Sequence, residues 1–496
     1  MLSYFGVFFS IITGLIYNPW MIKTIGNSDY ALYTLAMSLA NTFLIDFGLS
    51  MASQRYIAKY VAQNDQKSAD NIIGLVFKLY IIITAVLLVI FATIFFFLEK
   101  IYAQLSPAEL EKFKVLYIMV VIYSVTSFPF ITLKGILSAY QKFIPLKTCD
   151  LLYRFLSISM TFIALFLGQG VYILVVVNLI ASLFVTALRI YFIKKTTPVH
   201  ANFSYKEKNK AKELLGFSIW TSVSSVVTRL LLSLAPSILG IVSGSLEIAT
   251  FGYAVSIEGF IYAFVNAVNG FFMPKLSKIS AQTADPEEKQ QKVLDLMTFV
   301  GKFILALFGL IFVGFLVLGK DFVVMLVGAD YIDSYYCVLL ICGYGLIAYP
   351  QQIANTYTLV EDKVKKRGTI SLAAMGAYLA SVFVFAKLWG SVGVAISVFV
   401  ALSLQTILMN ILYYRDLKIN VLLFFKRCHL RFLPGFLVFG VVAWLISQFS
   451  IGGWTGFAIK VLLIVLAYSI IAIVAFLNKT ERRKLLSSLK FLKRKI

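Results

Sequence analysis

The chain contains fourteen long apolar runs, and this feature constrains its fold more than any other. A helix that crosses about 30 Å of hydrocarbon needs about 20 mostly apolar residues. Runs of that length lie at approximately 2–22, 30–54, 72–97, 113–139, 149–168, 171–193, 214–243, 247–273, 296–319, 334–360, 368–389, 391–414, 431–450 and 456–477. The sequence therefore predicts an all-α polytopic membrane protein with about 14 transmembrane helices.

The composition agrees with that prediction. Apolar residues make up 60% of the chain and charged residues only 14%, whereas a soluble protein carries about 25% charged residues. This excludes a soluble multidomain enzyme, a disordered chain and a disulfide scaffold. A net charge of +22 would suggest nucleic acid in a soluble protein, but here the charges lie between apolar runs. We therefore expect membrane lipids as partners, and no nucleic acid.

The distribution of basic residues predicts the orientation in the membrane. Lys and Arg accumulate in cytoplasmic loops. With the N-terminus inside, 37 of the 45 Lys and Arg residues fall in the predicted inner loops and the C-terminal tail, against six in the outer loops. The first run lacks a basic n-region and a small-residue cleavage site, which favours a retained span. We expect a multi-pass protein with both termini cytoplasmic.

A basic segment midway along the chain suggests two related halves, as in many transporters. No loop is long enough to form a second domain, so the helices must perform the function. The predicted organisation is an N-terminal six-helix lobe at 1–195, a basic cytoplasmic linker at 196–213, a C-terminal six-helix lobe at 214–415, two additional helices at 416–477 and a basic cytoplasmic tail at 478–496.

The sequence lacks the residues that an enzyme or a pump would need. The string nearest to a phosphate-binding loop, at 314–321, ends in Asp321 where a Ser or Thr is required. The two histidines, His200 and His429, lie in predicted inner loops. We expect no catalysis, no cofactor and no metal site. A membrane glycosyltransferase or polymerase, the alternative from another class, would need large outer loops with catalytic groups.

Two charged residues lie near the middle of adjacent predicted spans. Arg229 is about fourteen residues, roughly 21 Å, from the outer end of span seven, and Glu258 is about eleven residues, roughly 16 Å, from the outer end of span eight. Charges at this depth usually face a cavity or a partner. One interpretation is a structural ion pair between them. The other is that Arg229 binds an anionic substrate, while Glu258 orients that substrate or takes up a proton.

Other polar residues on the spans extend this list of candidates. Asp46, near the inner end of span two, is a candidate for cation coupling or for a local hydrogen bond. Lys134 is a candidate for a headgroup contact at the cavity mouth, and Asn266 and Asn355 are candidates for sugar contacts or for helix–helix hydrogen bonds. Lys460, about four residues into the last span, is expected to extend outward to the membrane surface.

Several short motifs in a fixed order carry a resemblance to a known family. They are YNPWMI at 17–22, YALY at 30–33, DFGL at 46–49, GILSAYQKF at 135–143, FGYA at 251–254 and PKL at 274–276. In this order they resemble the Wzx-type oligosaccharide flippases, the polysaccharide transporters of the multidrug/oligosaccharidyl-lipid/polysaccharide exporter superfamily. Many members place an acidic residue late in span seven, where this chain has Leu234, Ala235 and Pro236, so the role of that residue does not transfer.

The resemblance implies a V-shaped pair of six-helix bundles around a cationic cavity. It implies that the substrate is a polyprenyl-pyrophosphate-linked oligosaccharide repeat unit, which moves from the inner to the outer leaflet of a bacterial plasma membrane. A polysaccharide polymerase and its chain-length machinery would then be further partners. Arg229 is the residue carried over as the cavity cation. O-antigen, capsule and exopolysaccharide synthesis stay open as the pathway.

Two alternatives remain within the same superfamily. A multidrug antiporter that exports cations would have an acidic or aromatic cavity, which Glu258 permits and Arg229 disfavours. A flippase for a lipid-linked peptidoglycan precursor would have several arginines in its cavity, whereas this chain has one at midspan.

Overall fold

The protein is all-α in the residues that its computed structural model describes, which are 14, 17–43, 48–205, 207–269, 273–283, 285–449 and 452–476. These residues group into two compact units. Unit 1 comprises 1–255 and 364–398, and unit 2 comprises 256–363 and 399–496. The lobe boundaries given above stay a prediction.

Nine helices of the first unit are described in full, and two further helices begin in this unit. The complete helices are α1 (Asn27–Phe43), α2 (Leu49–Ala62), α3 (Gln66–Ile101), α4 (Pro107–Ser127), α5 (Thr132–Ala139), α6 (Phe143–Phe166), α7 (Tyr172–Thr196), α8 (Lys208–Ser233) and α9 (Ala235–Val242). The two long helices, α10 and α16, begin in unit 1 and end in unit 2.

The remaining helices, together with the later parts of α10 and α16, form unit 2. In chain order they are α10 (Ser245–Asn269), α11 (Met273–Gln282), α12 (Pro286–Val327), α13 (Asp333–Gly343), α14 (Gly345–Ala348), α15 (Gln352–Val360), α16 (Val364–Arg415), α17 (Val421–Phe425), α18 (Arg431–Ser447) and α19 (Gly453–Ile471).

Ten helical stretches among the described residues are long and apolar enough to cross a membrane. One of them, Val364–Arg415, contains two of the predicted spans, which are separated by non-helical backbone at Trp389 and Gly390. The predicted span at 247–273 corresponds to α10. Most of the span at 2–22 and the tail at 478–496 lie outside the described residues. The prediction of an all-α polytopic membrane protein is confirmed.

Helix starts follow local capping chemistry. The Asp65 carboxylate accepts a hydrogen bond from the Ser68 amide at the start of α3. Ser106 and Glu109 form a reciprocal capping box before α4, with Pro107 in its first turn. These contacts satisfy amide groups that the first turn of a helix otherwise leaves without acceptors.

Several predicted spans are broken by short irregular turns. The run at 113–139 is divided into α4 and α5 by a 3₁₀ turn at Phe128–Ile131. The run at 334–360 is divided by a second 3₁₀ turn at Tyr349–Gln351. Each turn contains a proline, whose missing amide hydrogen interrupts the helical hydrogen-bond ladder.

The central helix of unit 2 is α12, which packs against the second 3₁₀ turn and against α18 and α19. The approach to the turn is close. A Cβ atom added at Gly301 would lie 2.7 Å from the Pro350 carbonyl oxygen. Glycine at this position of α12 therefore permits the close approach to Pro350, which follows Tyr349 in the turn.

Candidate functional site

Arg229 lies about one turn before the end of α8 in unit 1, and its side chain is exposed. The opposite face of the helix carries Val227 and Leu231, which are buried. The Ser224 hydroxyl accepts a hydrogen bond of 2.9 Å from Ser371 of α16 on that packed side. Ser225, four residues before Arg229, is exposed on the same side as the guanidinium.

The exposed side of α8 at Arg229 differs from a lipid-facing surface. On α3 the exposed residues include Ile81, Val89 and Phe96, which are 53%, 66% and 82% exposed, as expected of a helix in hydrocarbon. At Arg229 the exposed neighbour is a serine instead. Among the described residues the Arg229 guanidinium has no hydrogen bond and no ion pair. Within the described residues of unit 1, Arg229 is therefore a cation without a counter-charge, which is available to an anion.

Lys134 on α5 lies in a three-residue charge cluster of unit 1. Its ammonium is 3.7 Å from a carboxylate oxygen of Asp150 on α6. Arg189 on α7 donates to that same oxygen at 2.9 Å and is far more buried than Lys134. The Arg189 Nε atom is buried and has no hydrogen-bond partner in the described part of the chain. Because one carboxylate faces two cations, the cluster carries one excess positive charge.

Glu258 on α10 is buried, with 8% of its surface exposed, and belongs to unit 2. The Tyr349 hydroxyl donates a hydrogen bond to its carboxylate. The Tyr344 hydroxyl in turn donates to that of Tyr349 at 3.4 Å. Among the described residues, no lysine or arginine forms an ion pair with Glu258. The carboxyl group therefore lies at the end of a chain of two hydroxyl groups, those of Tyr349 and Tyr344, which we call the tyrosine relay. It has no cationic partner among the described residues of unit 2.

Tyr344 connects this relay to a cavity of about 730 Å³ within unit 2. The second part of α16 forms one wall with polar side chains spaced three to four residues apart, namely Ser403, Thr406 and Asn410. Apolar residues such as Leu422 and Phe425 complete the lining. The cavity is therefore mainly apolar with a few polar groups, and the tyrosine relay leads from it to a buried carboxyl group.

Amide side chains cluster beside the relay. Gln351 and Asn410 exchange two hydrogen bonds, of 2.7 and 3.2 Å. Asn355, one of the predicted sugar-contacting residues, donates to Gln352 at 3.3 Å and is half-buried. Asn355 and the two relay tyrosines, Tyr344 and Tyr349, therefore lie on the same turn-containing stretch of unit 2.

The remaining predicted residues are placed only in part. Asp46 lies outside the described residues. Asn266 belongs to α10, but its side chain lies outside the described part of the chain. Arg229 and Lys134 belong to unit 1, and Glu258 and Asn355 belong to unit 2. The absences of partners given above hold within each unit, so the ion pair between Arg229 and Glu258 stays a prediction.

Sequence reasoning missed Tyr344, Tyr349, Asp150 and Arg189. The two tyrosines gave no signal, because tyrosine is common in membrane helices and its hydroxyl partner depends on packing. Asp150 lies at the start of a predicted span and could have been identified as a charge within an apolar run. Arg189 was counted only among the inner basic residues.

The sequence matches the model of one protein family over more than half of its length. A family model described as "Polysaccharide biosynthesis protein" matches residues 2–280, more than half of the chain. No curated protein sequence matches the chain.

Solved structures share the fold at low sequence identity. One described as the lipid II flippase MurJ in an inward closed conformation has a TM-score of 0.69 and 17% identity, and the match covers 95% of this chain and 98% of that one. An inward-facing multidrug resistance MATE family transporter of the MOP superfamily has a TM-score of 0.61 and 15% identity, with 83% and 94% covered.

A MOP superfamily transporter from Pyrococcus furiosus, whose description reports a binding pocket of reversed polarity, has a TM-score of 0.59. Its identity is 13%, and the match covers 83% of this chain and 93% of that one. At these identities the likeness of all three structures establishes the fold alone.

Proposed function

Because the chain belongs to the polysaccharide biosynthesis protein family, we propose that it is a flippase for lipid-linked oligosaccharides. Its substrate is a polyprenyl-pyrophosphate-linked oligosaccharide repeat unit. The protein moves this unit from the inner to the outer leaflet of the bacterial plasma membrane by alternating access, for the synthesis of a cell-surface polysaccharide. The observation that carries the proposal is Arg229, which is exposed on a polar part of α8 and has no ion pair within the described residues of unit 1.

The physical obstacle to this transport is the headgroup. Moving even one ion from water into a medium of low dielectric constant costs about 20 kcal/mol in the idealised limit, and a pyrophosphate carries more than one charge. The polyprenyl tail has no such cost in hydrocarbon. A flippase therefore needs a hydrated, cationic path for the headgroup, while the tail stays in the bilayer.

The candidate residues divide this work between them. Arg229 pairs with the pyrophosphate, since a guanidinium donates two parallel hydrogen bonds to phosphate oxygens. Lys134 supplies the excess positive charge of its cluster near the inner entrance. Asn266 and Asn355 donate and accept hydrogen bonds with sugar hydroxyl groups. A polysaccharide polymerase then uses the delivered unit.

The drive for export has two sources in this proposal. The membrane potential favours outward movement of an anion by about 2.3 kcal/mol per charge per 100 mV. Inward movement of a proton or sodium ion adds to it through Glu258, whose relay reaches the 730 Å³ cavity, or through Asp46.

The test in cells uses a strain in which the gene is deleted. We expect lipid-linked repeat units to accumulate on the inner face and surface polysaccharide to disappear. The wild-type gene restores the polymer and Arg229→Gln does not, whereas Arg229→Lys restores part of it because the charge is kept. Ser225→Ala, on the same exposed side of α8, is the matched control and restores the polymer fully.

The outcome that contradicts the proposal is normal polymer in cells that carry Arg229→Gln at wild-type protein levels. Accumulation of a peptidoglycan precursor in the deletion strain, with the polymer unaffected, would instead support the peptidoglycan flippase.

Buried Glu258 favours a second candidate function, the export of organic cations by an antiporter of the same fold. A carboxyl group that has no cationic partner among the described residues is able to exchange a proton for a cation. Under this alternative the deletion strain becomes sensitive to cationic dyes, and Glu258→Gln fails to restore resistance while Arg229→Gln succeeds.

A further inference from the structure

We propose that unit 2 contains a second binding site, on the predicted outer side, for the phosphate-bearing headgroup of an anionic phospholipid. The site is a cavity of about 500 Å³ between the end of α12 and the start of α19, which we call the Lys320–Lys460 cavity. It is lined by Lys320 and Lys460, by Asp321, and by apolar residues that include Val324, Phe449 and Phe457. This inference does not rest on the proposed function.

Both ammonium groups of the cavity are held at defined positions. Lys460 is 8% exposed, and its Nζ donates to the Ser447 carbonyl oxygen at 3.0 Å, at the end of α18. Lys320 Nζ lies 5.3 Å from the ring centre of Tyr336 and 5.6 Å from that of Tyr335. Cation–π contacts of this kind hold a lysine in place. Lys320 also donates a hydrogen bond to the Tyr336 hydroxyl, which leaves the other N–H groups of its ammonium for a phosphate.

The net charge of the cavity is positive. Asp321 is the one carboxylate among its described lining residues, and it does not form an ion pair with either lysine within the described part of the chain. The start of α19 at Gly452 and Gly453 also lines the cavity, and the first turn of a helix adds partial positive charge. Two ammonium groups and a helix start that surround one cavity are suited to a phosphate.

The surroundings favour a phosphate that belongs to a lipid over a free ion. Trp454, next to the cavity, is 51% exposed and packs against Phe322, which in turn stacks on Phe457. Exposed tryptophan is typical of the headgroup level of a membrane. At the cavity itself, the lining residues Val324 and Phe449 are 41% and 51% exposed. They offer an apolar surface to the acyl chains of a lipid whose headgroup occupies the cavity.

The test measures lipid binding to the full-length protein purified in detergent. Short-chain phosphatidylglycerol is titrated by calorimetry into the wild type, into Lys320→Gln and into the double variant Lys320→Gln/Lys460→Met. We expect saturable binding by the wild type, at least threefold weaker binding by the single variant and more than tenfold weaker binding by the double variant. Lys387→Gln, an exposed lysine of unit 1 that is also predicted to face outward, is the control and binds as the wild type does.

Inorganic phosphate and short-chain phosphatidylcholine are the comparison probes. The proposal expects each to bind at least tenfold more weakly than phosphatidylglycerol, because the first lacks acyl chains and the second has no net negative charge. Inorganic phosphate that binds as tightly as the lipid would overturn it in favour of a free-anion site. Equal phosphatidylglycerol affinity in the wild type and in Lys320→Gln, whose side chain is exposed and whose folding is therefore safe, would overturn it entirely.

Discussion

Arg229 and Lys134 are both exposed cations of unit 1, but their surroundings differ. Lys134 shares the Asp150 carboxylate with Arg189, so its charge is partly balanced, and a surface pair of this kind contributes little energy. Arg229 has no partner among the described residues. A phosphate therefore gains more binding energy from Arg229 than from Lys134. We expect substitution of Lys134 to slow entry of the substrate without abolishing transport.

The first prediction at the residue scale concerns Glu258. Glu258→Gln keeps an acceptor for the Tyr349 hydroxyl but removes the group that takes up a proton. We expect this variant, reconstituted in vesicles, to lose the response of substrate transport to an imposed pH gradient and to keep the response to membrane potential. Tyr349→Phe, which keeps the carboxyl group and removes the relay, should weaken the pH response. An unchanged pH response in Glu258→Gln would exclude Glu258 as the coupling group.

The second residue-scale prediction concerns Glu361, between α15 and α16. Burial raises the pKa of its carboxyl group, but hydrogen bonds from Ser280, Tyr357 and Lys289 outweigh burial and leave the pKa below its ordinary value. A lowered folded-state pKa contributes stability above the unfolded-state pKa of about 4.3. That stability is lost as the pH falls through the lowered folded-state value.

Glu361→Gln is therefore expected to lower the free energy of unfolding by about 1–2 kcal/mol at pH 7 and by less near pH 4. Thermal unfolding of the purified variants at both pH values measures the difference. Glu287→Gln, in the exposed first turn of α12, is the control and should change little. An equal loss of stability by Glu361→Gln at both pH values would argue against an ionised Glu361.

At the scale of elements, α12 packs closely against the second 3₁₀ turn, which carries Tyr349 of the tyrosine relay. We infer that this contact positions the relay. Gly301→Ala places a Cβ atom 2.7 Å from the Pro350 carbonyl oxygen, which is backbone and cannot rotate away. We expect the turn to shift and the stability to fall by about 1–3 kcal/mol, together with a loss of the pH response of transport.

Gly314→Ala on the same helix is the matched control for Gly301→Ala. A Cβ atom at Gly314 meets nothing within 4 Å, and alanine favours a helix over glycine by about 1 kcal/mol. We expect unchanged or slightly raised thermal stability and a normal pH response. The same thermal stability and the same pH response in Gly301→Ala and Gly314→Ala would show that the close approach at Gly301 does not control the relay.

The sequence predicted where the helices lie better than where they break. Apolar length identifies a span because water is absent from the hydrocarbon region, so α3, α12 and α16 lie at predicted runs. The breaks at Phe128–Ile131 and Tyr349–Gln351 were missed. Each contains a proline, but proline is also tolerated within membrane helices. Only the tertiary packing determines which proline ends a helix.

The candidate site could be predicted only in part from the sequence, as the helices could. Arg229 and Glu258 were found because a charge within an apolar run is costly and therefore unusual. The tyrosine relay at Tyr344 and Tyr349 was not found. It depends on a turn that brings two hydroxyl groups to one carboxyl group, and no spacing in the sequence signals that arrangement.

At the scale of the whole molecule, the basic residues predict which surface faces the cytoplasm. The four native cysteines are buried and free, so a membrane-impermeant maleimide should not label the wild type in intact cells. We expect labelling of Lys387→Cys, which is predicted outside, and none of Lys67→Cys, which is predicted inside, until the membrane is permeabilised. Both positions are exposed. The reverse pattern would show that the predicted orientation is wrong.

Transport by the purified protein tests the central claim most directly. The protein is reconstituted in vesicles that contain a polyprenyl-pyrophosphate-linked oligosaccharide, and a soluble glycosidase reports how fast the headgroup reaches the opposite leaflet. The account predicts transport by the wild type and a rate lower by roughly 10- to 150-fold in Arg229→Gln, equivalent to the loss of about 1.5–3 kcal/mol from one charge-assisted hydrogen bond. Transport by folded Arg229→Gln at the wild-type rate would contradict it.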